Sequence, residues 1–124
     1  SKIMKKNRSG HIINISSIFG VVSKSGRTSY SSTKSGLIGL TKAVALDLAP
    51  FNIVVNSVSP GFVDTELTRK ILNASEINEI EKTIPQKRFA SPDEIAKIVI
   101  LLSSEHNTYI NGQNIIIDGG YTSV

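Results

Sequence analysis

The sequence of 124 residues contains no cysteine. That excludes a disulfide scaffold, a thiolate metal site and a thiol nucleophile. Histidine is scarce too: the 2 present, His11 and His106, are too few for a histidine-rich cluster, and no metal is expected. No apolar run approaches the ~18 residues of a membrane span. The basic opening SKIMKKN has no apolar stretch behind it, so it does not read as a signal peptide. These absences fit a cytoplasmic protein away from the membrane. Acidic residues are missing from the first third. Residues 1–46 hold Lys2, Lys5, Lys6, Arg8, Lys24, Arg27, Lys34 and Lys42 but no acid, and all 10 acidic residues fall in 47–124. Such a bias is one mark of a nucleic-acid footprint. No aromatics interleave these cations, as a single-strand platform requires. The better reading is solvated helix ends plus one functional lysine, with no nucleic-acid partner.

What is present is a globular composition. At 40% hydrophobic residues and a net charge of +4, the chain is too aliphatic and too weakly charged for disorder. Its length is one domain at most. Residues 11–18, HIINISSI, read as a strand buried on both faces. A glycine-bearing loop follows to residue 28. From about Ser29 to Leu48, Leu37, Leu40, Val44 and Leu48 recur at helical spacing, and Pro50 marks the end. Gly36 and Gly39 inside this helix cost roughly 1 kcal/mol each against alanine, so close packing is expected there. Residues 53–58, IVVNSV, are a second buried strand, broken by Pro60-Gly61. A weaker, polar helical stretch covers about 64–83, interrupted near Asn73–Ser75. Residues 91–104 read as a helix with Ser91 as N-cap, Pro92 at its first position and Glu94 completing a capping box. Residues 114–117, NIII, are a third strand ending at Asp118-Gly119-Gly120. The order strand, helix, strand, helix, strand predicts an α/β fold: a Rossmann-like parallel sheet with crossover helices.

In such sheets, ligands bind beyond the carboxyl ends of the strands. That points to Ser16–Gly20, Ser59–Thr65 and Asp118 onward, where Ser16, Ser17, Ser59, Asp64 and Thr65 gather. The helix after the first strand carries Tyr30 and Lys34, at i and i+4 on one face. A cation beside a phenol favours phenolate, which would make Tyr30 a general acid or base nearer neutrality. Ser17 closes the preceding strand, and its hydroxyl can reach the same space. A lone Tyr/Lys pair is more often a plain surface contact.

This pair is not alone. Ser17 followed by Tyr30-Ser31-Ser32-Thr33-Lys34 resembles the short-chain dehydrogenase/reductase family. So do Asn56 through Gly61 with Thr65 behind them, and Asn111-Gly112-Gln113 followed by Asp118-Gly119-Gly120. The ordered set spans nearly the whole chain. GHIINISS, YSSTKSGLIGLTKAVALDLAP and VSPGFVDTE look most like the 3-oxoacyl-[acyl-carrier-protein] reductase branch. The resemblance implies that Tyr30 exchanges the proton with the carbonyl or alcohol, Lys34 supports it and holds the nicotinamide ribose, and Ser17 orients the substrate carbonyl. Pro60, Gly61, Val63 and Thr65 would meet the nicotinamide end of NAD(P)(H), with a slight lean to NADP. Phe62 and Leu67 would touch substrate, and a mobile lid over 62–83 would offer Ile71, Leu72, Ile77 and Ile80. Arg69 and Lys70 would face an acidic carrier, a phosphate or water.

The family's glycine-rich phosphate loop, its N-N-A-G segment and its NAD/NADP-selecting residue are absent from these residues. Residues 1–124 therefore read as the carboxyl-terminal half of a single dehydrogenase domain. The amino-terminal phosphate-binding half is absent and residues 1–9 are the tail of a preceding helix. The three strands would be the family's last three, with the first exposing an edge. Two functions stand. One is an NAD(P)-dependent oxidoreductase acting on a small-molecule carbonyl or secondary alcohol, with a 3-oxoacyl thioester among the candidates. It would work in a full-length parent and as a homo-oligomer, dimer or tetramer, the segment alone being inactive. The other is a non-catalytic oligomerisation or binding module of the same fold.

Overall fold

The computed structural model of the chain describes residues 1–123. Strands β1 (Gly10–Ile15), β2 (Ile53–Pro60) and β3 (Asn114–Ile117) form one parallel sheet in that order. Gly10 lies opposite Ile53 and Ile15 opposite Val58, while Ser57 faces Asn114 and Pro60 faces Ile117. Helix α1 (Lys2–Asn7) precedes β1, and α2 (Thr28–Leu48) crosses from β1 to β2. Three helices, α3 (Glu66–Ile71), α4 (Ala74–Thr83) and α5 (Pro92–Ser103), connect β2 to β3. The α/β architecture read from the sequence is the one observed, and all three strands end at the same edge.

Expected burial on both faces holds for β2 alone. Ile53, Val55, Asn56, Ser57, Val58 and Ser59 are buried, whereas β1 and β3 are half-buried and Ile15 and Ile116 are exposed. The reason is position: β2 has a neighbour on each side, and the other two pair on one side only among the described residues. The core joins Ala45 and Leu48 of α2 to Ile53 and Val55 of β2, with Met4, Ile12, Val44 and Phe51 packed around them. Leu48, Ile53 and Val55, buried almost completely, contribute about 1.5–3 kcal/mol each through burial.

The polar residues of β2 are spent on the sheet. The Ser57 and Ser59 hydroxyls both donate to Asn114 Oδ1 at 2.7 Å. Asn56 Nδ2 donates to the Ile110 carbonyl, and its Oδ1 accepts from the Gln113 N–H. Asn111 Oδ1 accepts from the Val55 N–H at 2.9 Å. The Asn56 and Asn111 motifs thus lock the β3 entry loop onto β2. Ser59, gathered with the site from sequence, is fully buried in this network.

Helix starts follow their caps. Ser91 and Glu94 form the expected capping box of α5. The interruption near Asn73 is itself a helix start, since Asn73 and Glu76 form a second capping box that opens α4. The close packing expected at Gly36 and Gly39 is not found: a Cβ at either position would meet no atom within 4 Å. Both glycines lie on an open side of α2, with Leu40 and Leu46 also exposed on that helix.

Candidate active site

The exit of β1 is stitched to α2. The Ser16 hydroxyl donates to the Lys34 carbonyl at 3.0 Å, and the Ser35 hydroxyl donates to the Gly20 carbonyl at 2.8 Å. A Cβ on Gly20 would lie 2.9 Å from the Lys34 carbonyl carbon and oxygen, so only glycine allows the loop this near the helix. Between these stitches, Ser17 is extended and caps the single-turn helix Ile18–Gly20. Its Oγ accepts from the Phe19 N–H at 3.1 Å. A hydroxyl that accepts there keeps its own proton for another acceptor.

Tyr30 and Lys34 share one face of α2, as their spacing requires. Lys34 Nζ lies 5.7 Å from the Tyr30 ring centroid and donates to the Ile15 carbonyl at 2.8 Å. Tyr30 is 43% exposed and meets Phe19 edge-on at 6.4 Å.

The exit of β2 supplies the opposite wall. The Gly61 N–H donates to the Ile117 carbonyl, and a Cβ on Gly61 would lie 2.8 Å from Asp118 Cα. Glycine is therefore required where β2 and β3 leave the sheet together. Val63 forms a parallel bridge with Ala90. Thr65 caps α3 by accepting from the Thr68 N–H at 3.1 Å.

These pieces enclose a cleft of about 350 Å³ at the carboxyl edge of the sheet. Ser17 and Tyr30 line it together with Gly61, Phe62, Val63 and Leu67. Leu67 and Ile71, 66% and 67% exposed, present an apolar wall with Leu72. Lys34, Pro60 and Thr65 do not line the cleft. Lys34 sits behind Tyr30, Pro60 ends β2, and the Thr65 hydroxyl is committed to its cap. Ile77 lines a separate hollow with Asp64, Arg69 and Phe89, and Ile80 lies outside the cleft. Arg69 does not reach out for a carrier. Its Nε donates to Asp64 Oδ1 at 2.7 Å, and this hydrogen bond, outweighing slight burial, holds the Asp64 carboxyl below its ordinary value.

Ile18, Phe19, Arg27 and Thr68 line the cleft without having been singled out. Arg27 carried no readable signal: it is the residue just before α2, with non-helical backbone angles, so helical spacing does not place its side chain. Phe19 carried none either, since its placement depends on the turn after β1. That ring joins a string of aromatics, meeting Phe62 edge-on at 6.3 Å, while Phe62 stacks on Phe89 at 5.5 Å.

Asp118, at the end of β3, serves its own turn. Burial pushes its carboxyl up, but hydrogen bonds from the Thr122 hydroxyl and the N–H groups of Thr122, Gly120 and Tyr121 outweigh this and hold it below its ordinary value. It lines a second hollow with Phe62, Arg88, Glu94 and Gly119. There Arg88 grips Glu94 through two hydrogen bonds, and the carboxyl is held down to about 2.

The nicotinamide end of a dinucleotide has suitable partners in this arrangement. The Val63 N–H takes no part in the Val63–Ala90 bridge or in another hydrogen bond among the described residues, so a donor is left over beside the cleft. Lys34 Nζ carries donors beyond the one given to Ile15. No metal-binding group of three or more His, Asp or Glu occurs among the described residues. No helix among them is long and apolar enough to cross a membrane.

Comparison with known proteins agrees with the fold. The family model described as Enoyl-(Acyl carrier protein) reductase matches residues 1–122. The chain belongs to the short-chain dehydrogenase/reductase family. Among its relatives, the 3-oxoacyl-[acyl-carrier-protein] reductase FabG of Aquifex aeolicus is 45% identical over 117 residues, covering 94% of this chain and 47% of that protein. The uncharacterized oxidoreductase YxjF of Bacillus subtilis is 44% identical over 132 residues, covering 98% of this chain and 51% of that one. The chain thus spans about half the length of the curated dehydrogenase/reductase relatives it matches. A gluconate 5-dehydrogenase from Burkholderia cenocepacia, solved with NADP and tartrate, superposes at a TM-score of 0.92 with 32% identity. That match covers 99% of this chain and 49% of the other. ElxO with NADP bound superposes at 0.92 with 37% identity, covering 99% of this chain and 50% of that one.

Proposed function

We propose that this chain is the carboxyl-terminal half of an NAD(P)-dependent oxidoreductase that reduces a carbonyl or oxidises a secondary alcohol. The observation that carries the reading is one cleft lined by Ser17 and Tyr30, with Lys34 Nζ 5.7 Å from the Tyr30 ring. In reduction, the Ser17 hydroxyl donates to the substrate oxygen and holds it facing Tyr30. Tyr30 passes its proton to that oxygen as negative charge develops there. Lys34 supplies the positive charge beside the departing proton. In oxidation the same groups run in reverse. When bound, NAD(P) supplies or accepts the hydride. Gly61, Val63 and Lys34 hold its nicotinamide end, with Pro60 and Thr65 shaping the backbone between them.

The NADP-bound structural relatives favour NADP over NAD. The FabG relatives make a 3-oxoacyl thioester the first substrate to try, with Phe62 and Leu67 against its acyl part. Gly36 and Gly39, open on α2 beside exposed Leu40 and Leu46, support assembly through that helix into a homo-oligomer. The same open face is what favours a purely assembling, non-catalytic module as the second reading. Hydride transfer by the full-length protein containing this chain separates the two, with NADPH and a 3-oxoacyl thioester or small ketone as substrates. Turnover that collapses in Tyr30→Phe supports the enzyme. Turnover indifferent to that change sinks the assigned role, and no turnover on any carbonyl supports the module.

A further inference from the structure

Arg27 is a cation on the cleft wall with no anion of its own. It lines the same cleft as Ser17 and Tyr30, as the residue just before α2. The described residues form three ion pairs, Arg69–Asp64, Lys82–Glu79 and Arg88–Glu94, and Arg27 is in none of them. Its guanidinium makes no hydrogen bond among them either; its one assigned contact is the Phe19 ring, 5.9 Å from Cζ. A cation over an aromatic face keeps its in-plane N–H donors unfilled. The cleft lining contains no acid, and Lys24 Nζ lies 5.7 Å from the same Phe19 ring. The remaining walls are mainly apolar, from Ile18, Phe62, Val63, Leu67 and Ile71. The cleft is therefore positive at one point and greasy around it.

We infer that the substrate is a short oxo or hydroxy acid whose free carboxylate is gripped by Arg27. This rests on the dehydrogenase reading but puts a free acid in place of the carrier thioester as its substrate. Arg27 is three positions before Tyr30, and both line the one cleft of about 350 Å³. An anion on Arg27 and a carbonyl at Tyr30 must then belong to groups only a few bonds apart. A carboxylate close to the reacting carbon meets that spacing. The phosphate on a carrier's long arm, many bonds from its thioester carbonyl, does not. The planar guanidinium fork matches a carboxylate through two parallel hydrogen bonds. The apolar wall then reads as a seat for a short alkyl tail.

The test uses the full-length protein with 3-hydroxybutyrate and its methyl ester as probes. Calorimetry reads their affinities, and NADP reduction in the same samples reads hydride transfer. The acid is expected to bind about 10- to 100-fold tighter than the ester, the range of a charge-assisted hydrogen bond. Arg27→Gln should bring that ratio close to one. Arg27→Lys should restore part of it, because the charge stays but the fork is lost. Lys24→Gln should leave the ratio within about twofold, because Lys24 lies outside the lining. Equal binding of acid and ester overturns the inference, as does a ratio that survives Arg27→Gln. A raised KM for NADP in Arg27→Gln with the ratio intact also overturns it, by assigning Arg27 to the cofactor. Acid binding that depends on Arg27 without hydride transfer sinks the dehydrogenase reading and leaves the carboxylate site standing.

Discussion

The cleft of Ser17, Arg27 and Tyr30 and the hollow of Arg88, Glu94 and Asp118 share Phe62 as a wall, and both measure about 350 Å³. The second holds more charge. Yet Arg88 is closed on Glu94 and on the Phe89 carbonyl, and Asp118 accepts from Gly120, Thr122 and the Thr122 hydroxyl. Its hydrogen-bonding capacity is used internally to hold turns. In the first cleft the Tyr30 hydroxyl makes no hydrogen bond among the described residues, Ser17 retains its proton and Arg27 has no counter-ion. Charged residues around a hollow do not make a site; unspent donors and acceptors do.

The comparison can be broken most severely at Tyr30. Tyr30→Phe in the full-length protein should lower turnover by about 10²–10⁴-fold, the usual worth of a positioned acid or base. Absorbance of NADPH measures the rate, and circular dichroism should show the fold unchanged. A smaller loss would place the reactive group elsewhere. Next is Gly20→Ala, which sets a Cβ 2.9 Å from the Lys34 backbone and forces α2 away from Ser17. It should cost about 1–3 kcal/mol in urea unfolding and also lower turnover. Stability lost with turnover kept would mean that the stitch does not position the site.

Asn114→Ala sharpens the contrast from the structural side. It removes the shared acceptor of the buried Ser57 and Ser59 hydroxyls, costing about 1–3 kcal/mol with KM little changed. The smallest effect belongs to the second hollow. Glu94 has a folded value of about 2 against an ordinary 4.5, set first by the Arg88 hydrogen bonds and then by the Ser91 N–H. A depressed carboxyl stabilises the fold above its unfolded value, and that contribution is lost as pH falls from about 4.5 toward 2. Asp64 and Asp118 act with the same sign. Melting temperature should fall over this range, and less steeply in Glu94→Gln. At neutral pH that variant should keep its turnover, because Glu94 lies outside the first cleft.

Strand and helix order was readable because aliphatic runs and three-to-four spacing report which faces are buried. The capping box at Ser91 and the Tyr30–Lys34 face follow from local geometry alone. Other roles were hidden by shared chemistry. Ser59 looks like a site residue in a row of polar groups, but β2 buries it in a hydrogen bond to Asn114 of β3. Arg69 looked available until α3 brought it back to Asp64.

The sequence by itself determined the elements, their order and the local pairing of Tyr30 with Lys34, because these depend on residues a few positions apart. Only the tertiary structure decided which polar groups are used up and which remain. That outcome depends on partners such as Ser59 and Asn114, or Gly20 and the Lys34 backbone, which meet only when the chain packs. It is also what left Arg27 facing the cleft without an acid beside it.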